Sequence, residues 1–255
     1  MRITYIGGPT ALLEVGGVSL LTDPTFDPAG ERYELPVYTL EKTAAPAVAA
    51  ADLPPIDAVL LSHDHHADNL DRAGRRALTS ARRVLTTVAG AERLGGAASG
   101  LAPWETIDVA GAGGSVVVTA TPARHGPADG DRGPVVGFIV RANDRAREAL
   151  YVSGDTVWFD GVAEVARRFD VRVALLFLGA ARVAAVGNAR LTLSAEEGVT
   201  AARAMPDAAI VPMHFEGWKH FSEGRPEIEG AFASAGLASR LVWPTAGQSV
   251  ELHAF

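Results

Sequence analysis

The sequence predicts an α+β fold in which β-sheets pack on each other and helices cover their outer faces. Short β-rich runs alternate with glycine turns at the start of the chain, which is typical of an antiparallel meander over residues 3–6, 11–15 and 18–22. Helices are predicted over residues 162–169, 194–204 and 226–235, and a further helical stretch that ends at Ala77 is predicted after a cluster of histidines. Ser194 and Glu197 stand at the spacing of a capping box. Because strands and helices alternate through both halves, packed sheets with helices outside fit the pattern.

Four further apolar runs predict strands that end at polar side chains: residues 58–62, 115–119, 149–152 and 209–213. These runs lead in order to His63, His125, Asp155 and His214. The sequence therefore directs four strand ends to one set of imidazole and carboxylate groups.

The composition of the 255 residues is that of a globular protein, with 48% hydrophobic and 21% charged residues. The formal net charge is -7, and the 23 basic residues are dispersed, which disfavours nucleic acid as a partner. The chain has no cysteine, so disulfides, thiolate nucleophiles and cysteine-bound zinc are excluded. Any metal must therefore bind to His, Asp or Glu.

We expect one domain over residues 1–255 in a soluble cytoplasmic protein. The chain opens with a predicted strand rather than with a signal peptide. The longest apolar stretch, residues 173–186, is interrupted by Arg182 and is shorter than the about 18 residues of a membrane span. Five prolines within residues 26–55 predict a long irregular excursion, which we interpret as a lid insertion.

The strongest chemical signal is LSHDHHADNLD, residues 61–71. It places His63, Asp64, His65, His66 and Asp68 within six positions, which is unfavourable unless a cation lies among them. The alternative is a solvated turn that caps a helix. Six of the seven histidines lie in three clusters along the chain, and this clustering favours a metal site.

Taken in order, these segments resemble the metallo-β-lactamase superfamily over nearly the whole chain. The opening ITYIGGPTALLEVGGVSLLTDP resembles the branch that contains ascorbate-6-phosphate lactonase. The resemblance implies an αββα four-layer sandwich and a metal-dependent hydrolase. In this family, a HxHxDH segment, a later His, a bridging Asp and a final His hold one or two metals, usually zinc and sometimes manganese or iron.

The first motif departs from the family pattern by one inserted residue, and Asn69 stands where the last histidine of HxHxDH is expected. Two alignments compete. One preserves the HxD step as His66 and Asp68, and the other preserves His63, Asp64 and His65. We prefer His66, because the ligand two residues before the Asp must share its turn geometry, whereas the strand end can absorb a bulge.

The resemblance implies two metal positions. His63, His66 and His125 would form the first, and Asp68, His214 and the bridging Asp155 would form the second. The second position then lacks one ligand, because an Asn69 amide is a poorer zinc ligand than imidazole. Asp23 is either an acceptor that orients a ligand histidine or a turn residue before Pro24.

The implied reaction is hydrolysis of a small-molecule ester, lactone or phosphodiester bond by water activated on Zn²⁺, or alternatively on Mn²⁺ or Fe²⁺. Asp68 or Asp155 would accept the water proton, and His220 would stabilise an oxyanion or protonate the leaving group, unless His220 is structural. Two other functions stay open. One is metal binding without catalysis, and the other is a mononuclear iron oxygenase on the same fold.

A partly apolar pocket is expected from aromatic residues that follow the candidate ligands: Trp158, Phe159, Phe215, Trp218 and Phe221. Arg124 and Lys219 are candidates for binding an anionic group there, although isolated basic residues are more often surface charges. We expect a small-molecule substrate, and neither a nucleic acid nor a membrane as partner.

Overall fold

The computed structural model describes residues 1–129, 132–143 and 146–253. Its strands are β1 (Arg2–Gly7), β2 (Thr10–Val15), β3 (Val18–Thr22), β4 (Arg32–Glu34), β5 (Thr39–Glu41), β6 (Ala58–Leu60), β7 (Val84–Thr86), β8 (Ala98–Gly100), β9 (Thr106–Gly111), β10 (Gly114–Pro122), β11 (Val136–Arg141), β12 (Glu148–Val152), β13 (Asp170–Phe177), β14 (Ala209–Met213) and β15 (Ser249–Glu251). Its α-helices are α1 (Arg72–Ala77), α2 (Val88–Leu94), α3 (Asp160–Arg168), α4 (Ala195–Ala204) and α5 (Arg225–Ser234).

The first sheet has the strand order β15-β1-β2-β3-β6-β7-β8. Its β1–β2–β3 portion is antiparallel, so the predicted meander is confirmed. From β3 onward the strands run parallel, with Leu20 opposite Ala58 where β3 meets β6. The carboxyl ends of β3 and β6 therefore lie at the same edge of this sheet.

The second sheet has the strand order β14-β13-β12-β11-β10-β9. Strands β12, β13 and β14 are parallel, whereas β11 runs antiparallel to both β10 and β12. Because β11 is antiparallel to both β10 and β12, these two strands run in the same direction. Strands β10, β12 and β14 therefore end at one edge of the sheet. Residues 173–177 of β13 belong to the long apolar stretch, since a strand covered on both faces reads as a continuous hydrophobic run.

Three hydrophobic clusters lie between adjacent layers of sheets and helices. Between the two sheets, Leu13 and Leu60 of the first sheet share a core with Phe138 and Phe177 of the second. On the outer face of the second sheet, the side chain of Tyr151 shares a cluster with residues of α3, α4 and α5. The outer face of the first sheet forms a third cluster with residues at and around α1. Helices thus cover both outer faces, and the predicted αββα sandwich is confirmed.

The predicted helices on the second sheet form, with ends that differ by one or two residues. Helix α4 begins after Ser194, whose side chain accepts a hydrogen bond from Glu197 N while Glu197 Oε2 accepts one from Ser194 N. The predicted capping box is therefore present. None of the helices in the described ranges is long and apolar enough to cross a membrane.

The predicted helical stretch after the histidine cluster is present and ends at Ala77, as expected. Helix α1 begins at Arg72, and residues 63–70 form turns. The reason is local, because Asp71 has extended backbone angles and its Oδ1 accepts a hydrogen bond from Gly74 N at 2.7 Å. Asp71 is thus the N-cap, and the ligand-bearing residues before it keep irregular geometry.

The excursion over residues 26–55 contains the β4–β5 hairpin and a short 3-10 turn at Ala50–Asp52. Lys42, which follows β5, is buried and its Nζ lies 2.8 Å from Asp71 Oδ2. The ammonium also lies 5.4 Å from the ring centroid of Trp218. This buried ion pair attaches the excursion to the start of α1, beside the histidine cluster.

Lys42→Met is expected to lower the free energy of unfolding by about 3 kcal/mol, because it leaves the buried Asp71 carboxylate without its cation. Urea denaturation measures the loss. Lys219→Met is the matched control, since Lys219 lies on the same segment as Trp218 but is 70% exposed and pairs with Glu41 at the surface. The control should change stability by less than about 0.5 kcal/mol. Equal effects of the two substitutions would contradict a structural role for the buried pair.

Candidate metal centre

The candidate ligands meet because their strands end at one edge of the sandwich. His63 follows β6, His125 follows β10, Asp155 follows β12 and His214 follows β14. All four side chains are buried, at 3% exposure or less. The predicted convergence of four strand ends is present in the structure.

The first group of ligand atoms consists of three imidazole nitrogens. His66 Nδ1 lies 2.9 Å from His63 Nε2 and 3.1 Å from His125 Nε2. The Nδ1 of His125 donates to the Leu191 carbonyl at 2.8 Å, which leaves its Nε2 as the free lone pair. Asp155 Oδ2 lies 3.6 Å from His125 Nε2 and adjoins this group.

The second group consists of two carboxylates and one imidazole. His214 Nε2 lies 3.4 Å from Asp68 Oδ2 and 3.5 Å from Asp155 Oδ1. Asp155 thus presents one oxygen to each group, as a bridging carboxylate would. His220 Nε2 lies 3.0 Å from the same Asp68 oxygen, so His220 contacts the second group through Asp68.

These separations fit divalent cations. Zinc binds nitrogen at about 2.0–2.1 Å, so two ligand atoms of a tetrahedral site lie about 3.3 Å apart. Asp155 Oδ2 and His214 Nε2 are buried without a hydrogen-bond partner among the described residues. Buried polar atoms left in this way are unfavourable unless something else binds them. The donor set therefore fits one ion at each group, with nitrogen-rich ligation at the first and oxygen-rich ligation at the second.

The pKa values of the candidate ligands also favour the binding of a cation. Burial lowers the pKa of His125 to about 4 and of His66 to about 2, so both imidazoles are neutral lone-pair donors at neutral pH. Burial, with the charges of Asp68 and Asp23, raises the pKa of Asp155 well above its usual value. Burial would raise the pKa of Asp68 as well, but the imidazoles of His220 and His214 outweigh it and lower that pKa.

His65 and His66 occupy different positions. His66 is buried between His63 and His125, whereas His65 is half-buried and its Nε2 donates to the Arg132 carbonyl at 2.8 Å. A nitrogen of His65 still lies within 4.8 Å of ligand nitrogens of His63 and His66. The geometry favours His66 as the ligand, because it alone of the two contacts His125 as well.

Asp23 reaches the ligands through Ser62. Ser62 donates to Asp23 Oδ1 from both its backbone N and its Oγ at 2.8 Å, and Ser62 Oγ lies 2.9 Å from His63 Nδ1. Asp23 therefore orients a ligand histidine indirectly, with Ser62 as the intermediate that the sequence reasoning missed. Burial raises the pKa of Asp23 to about 8.

Asn69, which stands in place of the expected histidine ligand, forms hydrogen bonds with its side-chain nitrogen. Its Nδ2 lies 3.4 Å from Ser62 Oγ and 3.3 Å from Asp155 Oδ1, donating toward both. The amide nitrogen thus orients the Asp155 carboxylate, and the side-chain oxygen Oδ1 of Asn69 is buried without a hydrogen-bond partner among the residues that the structure describes. We interpret Asn69 as a group that positions Asp155, with the second metal position one imidazole short.

Unusual backbone angles occur at the residues that deliver these groups. His214 has φ of 50° and Asp23 has φ of 24°, in a region that non-glycine residues rarely adopt. Gly154 precedes Asp155 with φ of 59°, and a Cβ there would lie 2.8 Å from Ser62 Cβ and 2.7 Å from the Val136 carbonyl oxygen. Such strain persists where the surrounding fold enforces it, which is common at functional sites.

The basic residues expected to bind an anion lie elsewhere. The Arg124 guanidinium lies 4.8 Å from the ring centroid of Phe159, and Lys219 pairs with Glu41 at 3.3 Å. Arg132 lies closer to the ligands, beside His65 and His66, although no sequence motif marked it. Its N donates a hydrogen bond to the His125 carbonyl at 2.8 Å, which holds it near the first group.

His66→Ala is expected to abolish metal binding at the first position, whereas His65→Ala should retain it. The reason is the position of His66 Nδ1 between two other imidazoles, a contact that His65 lacks. Elemental analysis of the two purified variants measures metal content per chain. Because the residues are adjacent histidines, each variant serves as the other's control. Equal loss of metal, or greater loss from His65→Ala, would show that the other alignment is correct.

Comparison with known proteins agrees with this geometry. A family model described as Beta-lactamase superfamily domain matches residues 19–215. A protein of Opitutus terrae named as a metal-dependent hydrolase is 30% identical over 226 residues, covering 84% of this chain and 85% of its own length. The residues that the family model matches, 19–215, include all six candidate ligands.

Solved structures share the fold over the full length. A possible metal-dependent hydrolase from Veillonella parvula has a TM-score of 0.86 at 19% identity, with 99% of each chain covered. An isothiocyanate hydrolase from Delia radicum gut bacteria has a TM-score of 0.82 at 22% identity, with 100% of each chain covered. The family model and the sequence relative together show that this chain belongs to the metallo-β-lactamase superfamily.

Proposed function

We propose that the protein is a metal-dependent hydrolase that cleaves an ester, lactone or phosphodiester bond in a small molecule. The observation that carries the proposal is the pair of buried ligand groups joined by Asp155 at one edge of the sandwich. One or two divalent ions held there would supply a nucleophilic water at neutral pH and would polarise the bond under attack.

His63, His66 and His125 would hold the first ion, and Asp68, Asp155 and His214 the second. The first position, with three neutral imidazoles, suits zinc. The second, with two carboxylates, suits manganese or iron as well as zinc and should bind more weakly. Asn69 adds to this difference, because it stands in place of a ligating imidazole.

The chain's own acid–base groups have distinct roles in this proposal. Asp68 and Asp155 are the carboxylates positioned to accept a proton from water. His220 Nε2 lies 3.0 Å from Asp68 and its Nδ1 is buried without a partner among the described residues. His220 would therefore hold Asp68 in place and offer a proton to the leaving group.

A cavity of about 610 Å³ beside His66 provides room for a small-molecule substrate. Tyr33 and Leu35 of the excursion form part of its wall, together with Ala67 and Leu70. Residues 26–55 would thus act as a lid over the ligands, tied at Lys42. A second, adjoining cavity shares Leu35, His65 and His66 with the first.

Metal-stripped protein is expected to lack activity on a panel of esters, lactones and phosphodiesters and to regain it with Zn²⁺ or Mn²⁺. Calorimetric titration should show two binding steps, the first tight and the second weak. Asp155→Asn should weaken both steps and reduce kcat by about 100-fold or more, because one side chain serves both positions. Arg167→Gln, an exposed change on α3, is the control.

Two outcomes would contradict the proposal. Metal binding without turnover of any substrate in the panel would indicate a metal-binding protein that is not an enzyme. Iron in the purified protein, with oxygen uptake and no hydrolysis, would indicate an oxygenase on the same fold.

A further inference from the structure

We propose that Arg132 binds an anionic group of the substrate, so that the preferred substrates carry a carboxylate or phosphate separated from the scissile bond by a short apolar segment. This inference rests on the proposed function, because it assigns the substrate class of the same site. Three features of the cavity beside His66 support it.

The first feature is the position of Arg132. A cavity of about 500 Å³ lies between the hairpin tip of the excursion and the first group of ligands. Its lining consists of Leu35, Pro36, Val37, Tyr38, His65, His66, Arg132 and Gly133. A molecule in this cavity can therefore contact the Arg132 guanidinium and the candidate ligand His66 at the same time.

The second feature is the set of side-chain N–H donors of Arg132 that have no hydrogen-bond partner among the described residues. Its main chain is fixed, since its N donates to the His125 carbonyl at 2.8 Å and its carbonyl accepts from His65 Nε2 at 2.8 Å. Its side chain makes one long hydrogen bond, to Tyr38 Oη at 3.4 Å, and its Nε is buried without a partner among the described residues. A guanidinium with five donors therefore faces the cavity with most of them available.

Two neighbouring arginines do not share this property, because Arg93 forms a salt bridge with Asp64 and Arg72 lies 2.7 Å from Glu31. Arg75 donates to the Asp64 carbonyl at 3.0 Å and is exposed to solvent. Arg132 pairs with no carboxylate in the described ranges of the chain. In a protein of net charge -7, such a cation beside the metal ligands attracts anions locally.

The third feature is the apolar part of the cavity lining near Arg132. Leu35, Pro36 and Val37 form it, and Val37 is 63% exposed, which is unusual for a large aliphatic residue in this chain. A short alkyl or aryl segment of a substrate would cover Val37 while its anionic end reaches Arg132 and the Tyr38 hydroxyl. Guanidinium pairs with carboxylate and phosphate alike, so both anions belong to the proposal.

The test compares acidic and neutral substrates of matched length on the metal-loaded protein. The 4-nitrophenyl monoesters of succinate, glutarate and adipate are measured against 4-nitrophenyl valerate. Wild-type protein should favour at least one acidic ester in kcat/KM. Arg132→Gln should raise KM for that ester roughly 10- to 100-fold, the usual loss of a charge-assisted hydrogen bond, and leave the neutral ester within about twofold. Arg167→Gln, which removes the same charge from an exposed site on α3, should change neither.

A binding measurement makes the result independent of turnover. Hexanoate and butyl phosphate are titrated calorimetrically into metal-loaded wild type and Arg132→Gln, and Arg132→Lys reports whether charge alone suffices. Weaker binding of either probe to Arg132→Gln supports the anion site, and the preferred probe identifies the anion. Equal binding to both proteins, or an equal loss for acidic and neutral esters, would overturn the assignment of Arg132. Absence of hydrolysis with Arg132-dependent binding would instead refute the proposed function and leave the anion site standing.

Discussion

The desolvation of six candidate metal-ligating side chains at one edge of the sandwich is the constraint on which the rest of the structure depends. Imidazoles and carboxylates, each with a ligand atom within 3.6 Å of a neighbouring one, leave buried polar atoms that have no hydrogen-bond partner among the described residues. Burial keeps the histidines deprotonated and disfavours the charge of Asp155, so the cluster is prepared for a cation before one arrives. Burial of these polar atoms without partners is unfavourable, so packing in the rest of the fold must supply the compensating free energy.

The fold meets that requirement by placing the cluster on rigid elements. Strands β6, β10, β12 and β14 end at the same edge, and each is packed into the core between or outside the sheets. His214 is held in a left-handed backbone conformation by a hydrogen bond from its N to the Gly8 carbonyl at 2.8 Å. The first and last ligand-bearing regions are thereby tied to the opening meander. The ligand positions depend on long-range contacts, and the excursion over residues 26–55 adds the walls of the substrate cavities.

Much of this arrangement is readable from the sequence, because the relevant signals are local. Strand ends marked by apolar runs predicted where His125, Asp155 and His214 would lie, and the capping box at Ser194 predicted the start of α4. The helical stretch that ends at Ala77 was predicted, but its start was not, because the capping role of Asp71 depends on its backbone conformation. Strand β11 and helix α2 escaped prediction, because a six-residue buried run and a seven-residue helix carry little periodicity. The roles of Ser62 and Arg132 could not be foreseen, as they arise from contacts between segments distant in the chain.

The most direct test of the account is anomalous X-ray diffraction from crystals of protein purified without added metal and of protein loaded with Zn²⁺ or Mn²⁺. Data on both sides of the metal absorption edge locate each ion. The account predicts one ion about 2.0–2.3 Å from nitrogens of His63, His66 and His125, and in loaded protein a second between Asp68, Asp155 and His214. Ions bound elsewhere, or no anomalous peak at the strand ends in loaded crystals, would contradict it.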